Sequence, residues 1–205
     1  SLIFLLNKVV YEILSVFNKY IWNLLFCDFL CVFMKKGEKT KAIILETGRD
    51  LFWKFSFKDI SVDHICEIAE VNKGTFYRYF ESKVDLCLQV IDHNYEMFIK
   101  DVFERSFSET NDPIAIYEGI IRRIYNLQKG FHDNEGRCRG CPFINLAMEL
   151  SNQEEFIREK LAEVSEGISK YFAEIYLQLE KKGMTTIKCD KDEMARKMLF
   201  VFNGT

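Results

Sequence analysis

Residue content and spacing predict an all-α chain. Only 2 Pro and 10 Gly occur in 205 residues, so few positions force the backbone out of a helix. Apolar residues recur at intervals of three and four, most clearly from Ile157 to Leu179, which is the spacing of one buried helix face. Hydrophobic residues make up 48% and charged residues 29%, a balance that fills a core and still covers it with charge. The length suits one large or two small domains.

The net charge of −3 excludes a uniformly basic nucleic-acid binder. Its distribution is uneven: residues 34–83 hold ten Lys/Arg and eight Asp/Glu, a net +2 that leaves −5 for the rest. A mildly basic segment on an acidic body is suited to touching a polyanion through that segment alone. The 7 cysteines are irregularly spaced and no secretory cleavage pattern is present. A disulfide framework is therefore not expected, and a reducing cytoplasm is the expected setting.

Residues 1–33 form an apolar extension interrupted by Lys8, Glu12, Lys19 and Asp28. No uncharged run reaches the roughly 18–20 residues of a membrane span, and no small-residue cleavage site follows. The chain opens on Ser, whereas Met34 is followed by an ordinary soluble start, MKKGEKTKAIILE. The expectation is upstream coding sequence ahead of a start at Met34; an amphipathic helix, packed or membrane-associated, and a genuine span are the alternatives.

Regular periodicity begins at Thr40, placed to cap a first helix with apolar Ile43, Ile44, Leu51 and Phe52. Phe55 to Ile60 (FSFKDI) breaks the period. Ser61 can cap a second short helix, with Val62, Ile65 and Ile68 inward and Asp63 in its favourable first turn. Glu70-Val71-Asn72 reads as a tight turn, and Asn72 can cap a third helix from Lys73 to Phe80. Glu81-Ser82-Lys83 interrupts before a long helix carrying Val84, Leu86, Leu88, Val90, Ile91, Tyr95 and Phe98. Two short helices across a tight turn, the second bearing Lys, Thr, Tyr and Arg, match a helix-turn-helix, whose second helix enters the major groove. Phe76 and Phe80, four apart, would anchor that helix; Gly74, with no Cβ, would let its backbone approach DNA. A helical hairpin inside a bundle, with Tyr77 and Tyr79 as half-buried aromatics, fits the same spacing.

The residues separate these readings. Leu51-Phe52, Ser61 to Ile65 (SVDHI), the Ala69/Val71 pair, Asn72 to Phe80 (NKGTFYRYF) and Ser82-Lys83 follow in order between Lys39 and Asp92. This run resembles the N-terminal domain of the TetR (tetracycline-repressor) family of regulators. The resemblance implies a three-helix helix-turn-helix DNA-binding domain over 37–97, followed by a helical ligand-binding and dimerisation domain over 98–205. It implies DNA contacts from Lys73, Gly74, Thr75, Tyr77 and Tyr79, with Thr75 and Tyr77 best placed for base edges, and phosphate contacts from Lys83 and Ser61. Gly48 stands where Ala is common, Ser56 replaces a frequent Gly, and Glu70 replaces the usual turn Gly. If that turn needs φ > 0, Glu70 costs about 1 kcal/mol.

In the second half, Asn111-Asp112-Pro113 starts a helix expected to reach about Leu127, and Gly130 to Gly140 (GFHDNEGRCRG) reads as a polar loop. Pro142 suits the first position of a helix ending at Leu150, with Cys141 at its cap. A helix over about 154–182 presents Ile157, Leu161, Val164, Ile168, Phe172, Ile175 and Leu179 as a packing seam, and Lys181-Lys182-Gly183 stops it. A last helix starts near Lys191 and is still apolar at Phe200, Val201 and Phe202, so a C-terminal truncation is expected. Gly140 to Leu150 (GCPFINLAMEL) is similar to a segment of many family members. In the family, two late helices per subunit form a four-helix dimer interface and the preceding helices enclose a ligand. Tyr117, Ile120, Ile124, Phe143, Leu146 and Met148 are the expected lining, each equally able to be plain core.

Cys138-Arg139-Gly140-Cys141 is a CxxC. A thiol at a helix N-terminus beside Arg should have a lowered pKa, as a redox sensor needs, and His132, Asp133 and Glu135 could complete a zinc site. Without a second CxxC, an incidental surface loop is the plainer reading, and no metal or cofactor is expected. His64 and His93 lack partner spacing, and no nucleophile motif or phosphate-cradling loop occurs, so no enzyme is expected. The expectation is a cytoplasmic, homodimeric transcription regulator, acting as a repressor, released from a near-palindromic double-stranded DNA operator by an apolar or amphipathic small molecule. The alternative is a thiol- or metal-responsive switch through Cys138 and Cys141.

Overall fold

The computed structural model describes residues 36–150 and 154–204; the apolar extension over 1–33 and the expectations placed on it lie outside the described residues. The chain divides into two compact units, Ser1–Ile44 and Leu45–Thr205. Of the first unit, the described part is the opening of helix α1 (Lys36–Lys54). That helix starts ahead of the expected cap at Thr40, because no residue from Lys36 onward breaks it and Glu38 sits favourably in its first turn.

The second unit contains α2 (Val62–Ile68), α3 (Lys73–Tyr79), α4 (Lys83–Phe98), α5 (Arg105–Glu109), α6 (Pro113–Glu135), α7 (Pro142–Leu150), α8 (Glu155–Lys181) and α9 (Lys191–Gly204). The described residues contain no strand, so the fold is all-α, as predicted. Helix α8 is the central post, with α4, α6, α7 and α9 packed against it. Its expected seam is buried at Ile157, Leu161, Val164, Ile168, Phe172 and Ile175. The Phe172 ring meets Phe103 at 5.7 Å, Phe202 at 5.3 Å and Tyr117 at 6.3 Å between centroids. Gly167 allows a close approach, since a Cβ there would lie 2.0 Å from the Tyr95 hydroxyl. Gly183 ends α8 in the left-handed region at φ 65°, and the Met184 N–H donates to the Leu179 carbonyl at 2.9 Å.

Two features differ from the expectation. Between α4 and α5 the helix widens into a π-helical stretch, Ile99–Glu104. Apolar residues here recur every fourth position (Cys87, Ile91, Tyr95, Ile99, Phe103), a longer period than the ~3.6 residues of an α-helix. A wider turn returns Ile99, Val102 and Phe103 to the core. The other difference is that α6 passes the expected end at Leu127 and continues through Gly130 to Glu135. The Asn134 amide donates to the Gly130 carbonyl at 2.6 Å, and Phe131 packs edge-on against Trp53 at 4.9 Å. Tertiary packing overrides the weak helix propensity of this stretch, and Gly136 at φ 72° ends it. No described helix is long and apolar enough to cross a membrane.

Candidate nucleic-acid interface

The pair α2–α3 is built from locally satisfied ends. Ser61 Oγ accepts the His64 N–H at 3.1 Å, and Asn72 Oδ1 accepts the Thr75 N–H at 2.8 Å. Such caps contribute about 1 kcal/mol each. Before α4, Ser82 Oγ accepts from Asp85 N at 3.0 Å while the Asp85 carboxylate accepts from Glu81 N at 2.9 Å, a reciprocal box that separates α3 from α4. The turn after α2 has the geometry glycine normally supplies. Glu70 lies at φ 52°, with Glu70 N–H bonding Glu67 O at 3.2 Å and Val71 N–H bonding Cys66 O at 2.9 Å. The strain anticipated at Glu70 is present.

Burial orients α3. Phe76 and Phe80 are fully buried, their rings 5.7 Å apart. Ile65 is buried as expected, but Ile68 is 55% exposed, because α2 ends there and the chain turns away. Tyr77 is 54% exposed, and Lys73 and Arg78 also face solvent. Thr75 is half-buried. Lys73 Nζ is 2.7 Å from Asp63 Oδ1, an exposed pair; that bond and the Asp63 charge raise the Lys73 pKa. Tyr79 is half-buried, hydrogen-bonded to Arg78, whose guanidinium lies 4.8 Å over its ring. Gly74 has a local role: a Cβ there would stand 3.3 Å from the Asn72 Oδ1 that caps the helix.

Lys83 is turned inward. Its ammonium donates to the Phe57 and Ile60 carbonyls at 2.8 and 2.7 Å and sits 4.1 Å over the Phe57 ring; burial holds its pKa below the ordinary lysine value. Loop 55–60 is held from the other side by Glu149 of α7. Its carboxylate accepts from Ser56 Oγ at 2.5 Å, Phe57 N at 2.9 Å and Lys58 N at 2.9 Å. Burial pushes the Glu149 pKa up, but these donors outweigh it and leave the carboxyl below the usual glutamate value. No sequence signal marked Glu149, because its partners are more than ninety positions away. Arg78 was legible as a cation on α3 but was not singled out.

The remaining predicted residues differ in burial. Ile120, Phe143 and Leu146 are buried, Tyr117 and Ile124 are half-buried, and Met148 is 80% exposed. Cys138 is exposed and Cys141 half-buried. Cys141 heads α7, where the N–H groups of Ile144 and Phe143 draw its pKa down, but burial is the larger effect and raises it. The lowered thiol expected from helix position is therefore corrected by the surrounding packing. Among the described residues, no three His, Cys, Asp or Glu side chains group as metal ligands; His132 and Asp133 approach only each other, at 3.6 Å.

Residues 44–90 match the family described as bacterial regulatory proteins, tetR family, and residues 121–205 match the tetracyclin repressor-like C-terminal domain. The chain is 31% identical over 135 residues to an uncharacterised HTH-type transcriptional regulator in the lacX 3′ region of Lactococcus lactis, covering 66% of this chain and 67% of that one. It is 28% identical over 141 residues to the HTH-type transcriptional repressor DhaR of a Mycobacterium species, covering 68% and 67%. A regulatory protein TetR from Rhodobacter sphaeroides shares the fold, with TM-score 0.69 and 23% identity over 80% of this chain and 84% of that one.

Proposed function

The chain belongs to the TetR family of bacterial regulatory proteins, and on that premise we propose that it is a cytoplasmic repressor, released from a near-palindromic operator by a small molecule. The observation that carries this reading is α3 itself. Its start is capped by Asn72, its inner face is pinned by Phe76 and Phe80, and it turns Lys73, Tyr77 and Arg78 to solvent. Tyr77 and Thr75 meet base edges; Lys73, Arg78 and the Ser61 end of α2 meet phosphates. The exposed Lys73–Asp63 pair contributes little, so a phosphate can replace Asp63 at small cost. The inward Lys83 acts by holding loop 55–60 where it leads into α2. Repression as the sign of regulation is supported by the Mycobacterium relative, which is named a repressor.

A two-fold operator requires two copies of the chain. Phe200 and Val201 of α9 are 77% and 55% exposed and supply apolar surface for a four-helix interface with α8 and α9 of a second copy. Release requires the effector to bind the DNA-incompetent arrangement more tightly. Selection of bound duplexes from a random pool tests the reading: enrichment of two half-sites related by two-fold symmetry is expected, and recovery of no consensus contradicts it.

A further inference from the structure

A cavity of about 290 Å3 opens between the end of α1 with the loop that follows it, residues 137–139, and α7. Trp53, Phe55 and Leu146 give it an apolar wall, and Lys54 and Arg137 stand at its edge. Leu146 is its only member among the residues expected to line a ligand pocket.

The charges on this wall are not equivalent. Arg139 is paired with two carboxylates, bonding Asp50 at 2.7 Å and Glu135 at 2.5 and 3.0 Å. The Glu149 carboxylate is held by its three donors from residues 56–58. Lys54 and Arg137 make no short ion pair among the described residues, although both charges act on Glu135 at longer range, and Arg137 makes one long bond, 3.4 Å, to the Lys54 carbonyl. What the site offers is the Trp53 and Phe55 side chains beside the cations Lys54 and Arg137, with the Trp53 ring also touched by Phe131 and Arg139. That combination suits a small planar molecule with a carboxylate, its ring against Trp53 and Phe55 and its anion on the Arg137 fork.

We propose that this cavity is an effector site for small aromatic carboxylic acids, separate from the helical interior where the family resemblance places a ligand. Ser56 and Glu149 also line it, so an occupant meets the bonds that hold loop 55–60. The consequence for DNA rests on the repressor reading above: displacing Glu149 frees the loop that leads into α2.

The test is calorimetric titration of the full chain with salicylate, indole-3-acetate and 1-naphthoate, each beside its neutral amide. At least one acid should bind at one site per chain, about tenfold or more tighter than its amide, a difference set by the charge-assisted bonds. Lys54→Gln with Arg137→Gln should remove that preference without lowering the melting temperature. Bound acid should also slow alkylation by iodoacetamide of Cys138, which is exposed on the cavity wall, but not of Cys189. No saturable binding, or binding that the double substitution leaves unchanged, overturns the site. Failure here with operator binding intact removes the site alone; acid binding without operator binding removes the repressor reading alone.

Discussion

The reading head and the junction around α7 are held together in different ways. In the head, each cap closes within three residues: Ser61 to His64, Asn72 to Thr75, Ser82 to Asp85. At the junction, Arg139 reaches Asp50 across 89 positions and Glu149 reaches Ser56 across 93. The head's geometry is written in its own short sequence, whereas the junction exists only once the chain has folded. A set of local bonds gives a rigid unit to present to DNA. A few long-range polar bonds give a connection that can be broken without dismantling either side.

Substitutions should separate the two kinds of support. Phe76→Ala removes a fully buried ring from the head and should cost about 3–5 kcal/mol, read as a loss of cooperative thermal unfolding or a large fall in Tm. Glu149→Ala strips three donors of their acceptor and should cost about 2–3 kcal/mol, with Glu149→Gln intermediate because an amide oxygen still accepts; urea unfolding followed by far-UV circular dichroism measures both. If Glu149→Ala matched Phe76→Ala, the junction would be part of the head's core and the contrast would fail. Because the folded Glu149 carboxyl sits below its unfolded value, its contribution is full above the ordinary glutamate pKa. It is lost as pH falls through the depressed folded value. An acid-unfolding series should therefore show a smaller acid-side loss of stability in Glu149→Gln than in the parent.

Tyr77→Ala should weaken operator binding by about 1–3 kcal/mol, the range for one base contact, and shift unfolding by less than about 0.5 kcal/mol, as expected for an exposed side chain. An equal loss in stability would make Tyr77 a packing residue. The smallest effect belongs to Glu70→Gly. Relief of the left-handed strain, partly offset by added backbone freedom in the unfolded chain, should raise stability by up to about 0.5 kcal/mol. A fall in Tm would show that the Glu70 side chain contributes more than its backbone costs.

The same contrast explains what could be read from the sequence. The caps at Ser61 and Asn72, the anchors Phe76 and Phe80, the α8 seam and the Pro142 start of α7 all follow from spacing within one or two turns. The strain at Glu70 was visible as a missing glycine. The inward turn of Lys83 was not legible, because the carbonyls of Phe57 and Ile60 that capture it depend on loop 55–60 folding back. Nor was the continuation of α6 past Gly130, which needs Trp53 packed on Phe131. The position of Cys141 at a helix start is legible in the sequence but its acidity is not, since burial, which raises its pKa, is set by neighbours from elsewhere in the chain.

On the proposed function, α3 reads sequence through side chains held out by a locally built head. That function is tested most directly by measuring the full chain on the DNA upstream of its own gene and on unrelated duplex, parent beside Tyr77→Ala, across a salt series. A footprint of two-fold symmetry is expected on one site, bound at least about 10³-fold more tightly than unrelated DNA, with Tyr77→Ala reducing that preference by about 5- to 150-fold while keeping the weak, salt-dependent background. Equal, weak, salt-sensitive binding to both duplexes, unchanged by Tyr77→Ala, would contradict it.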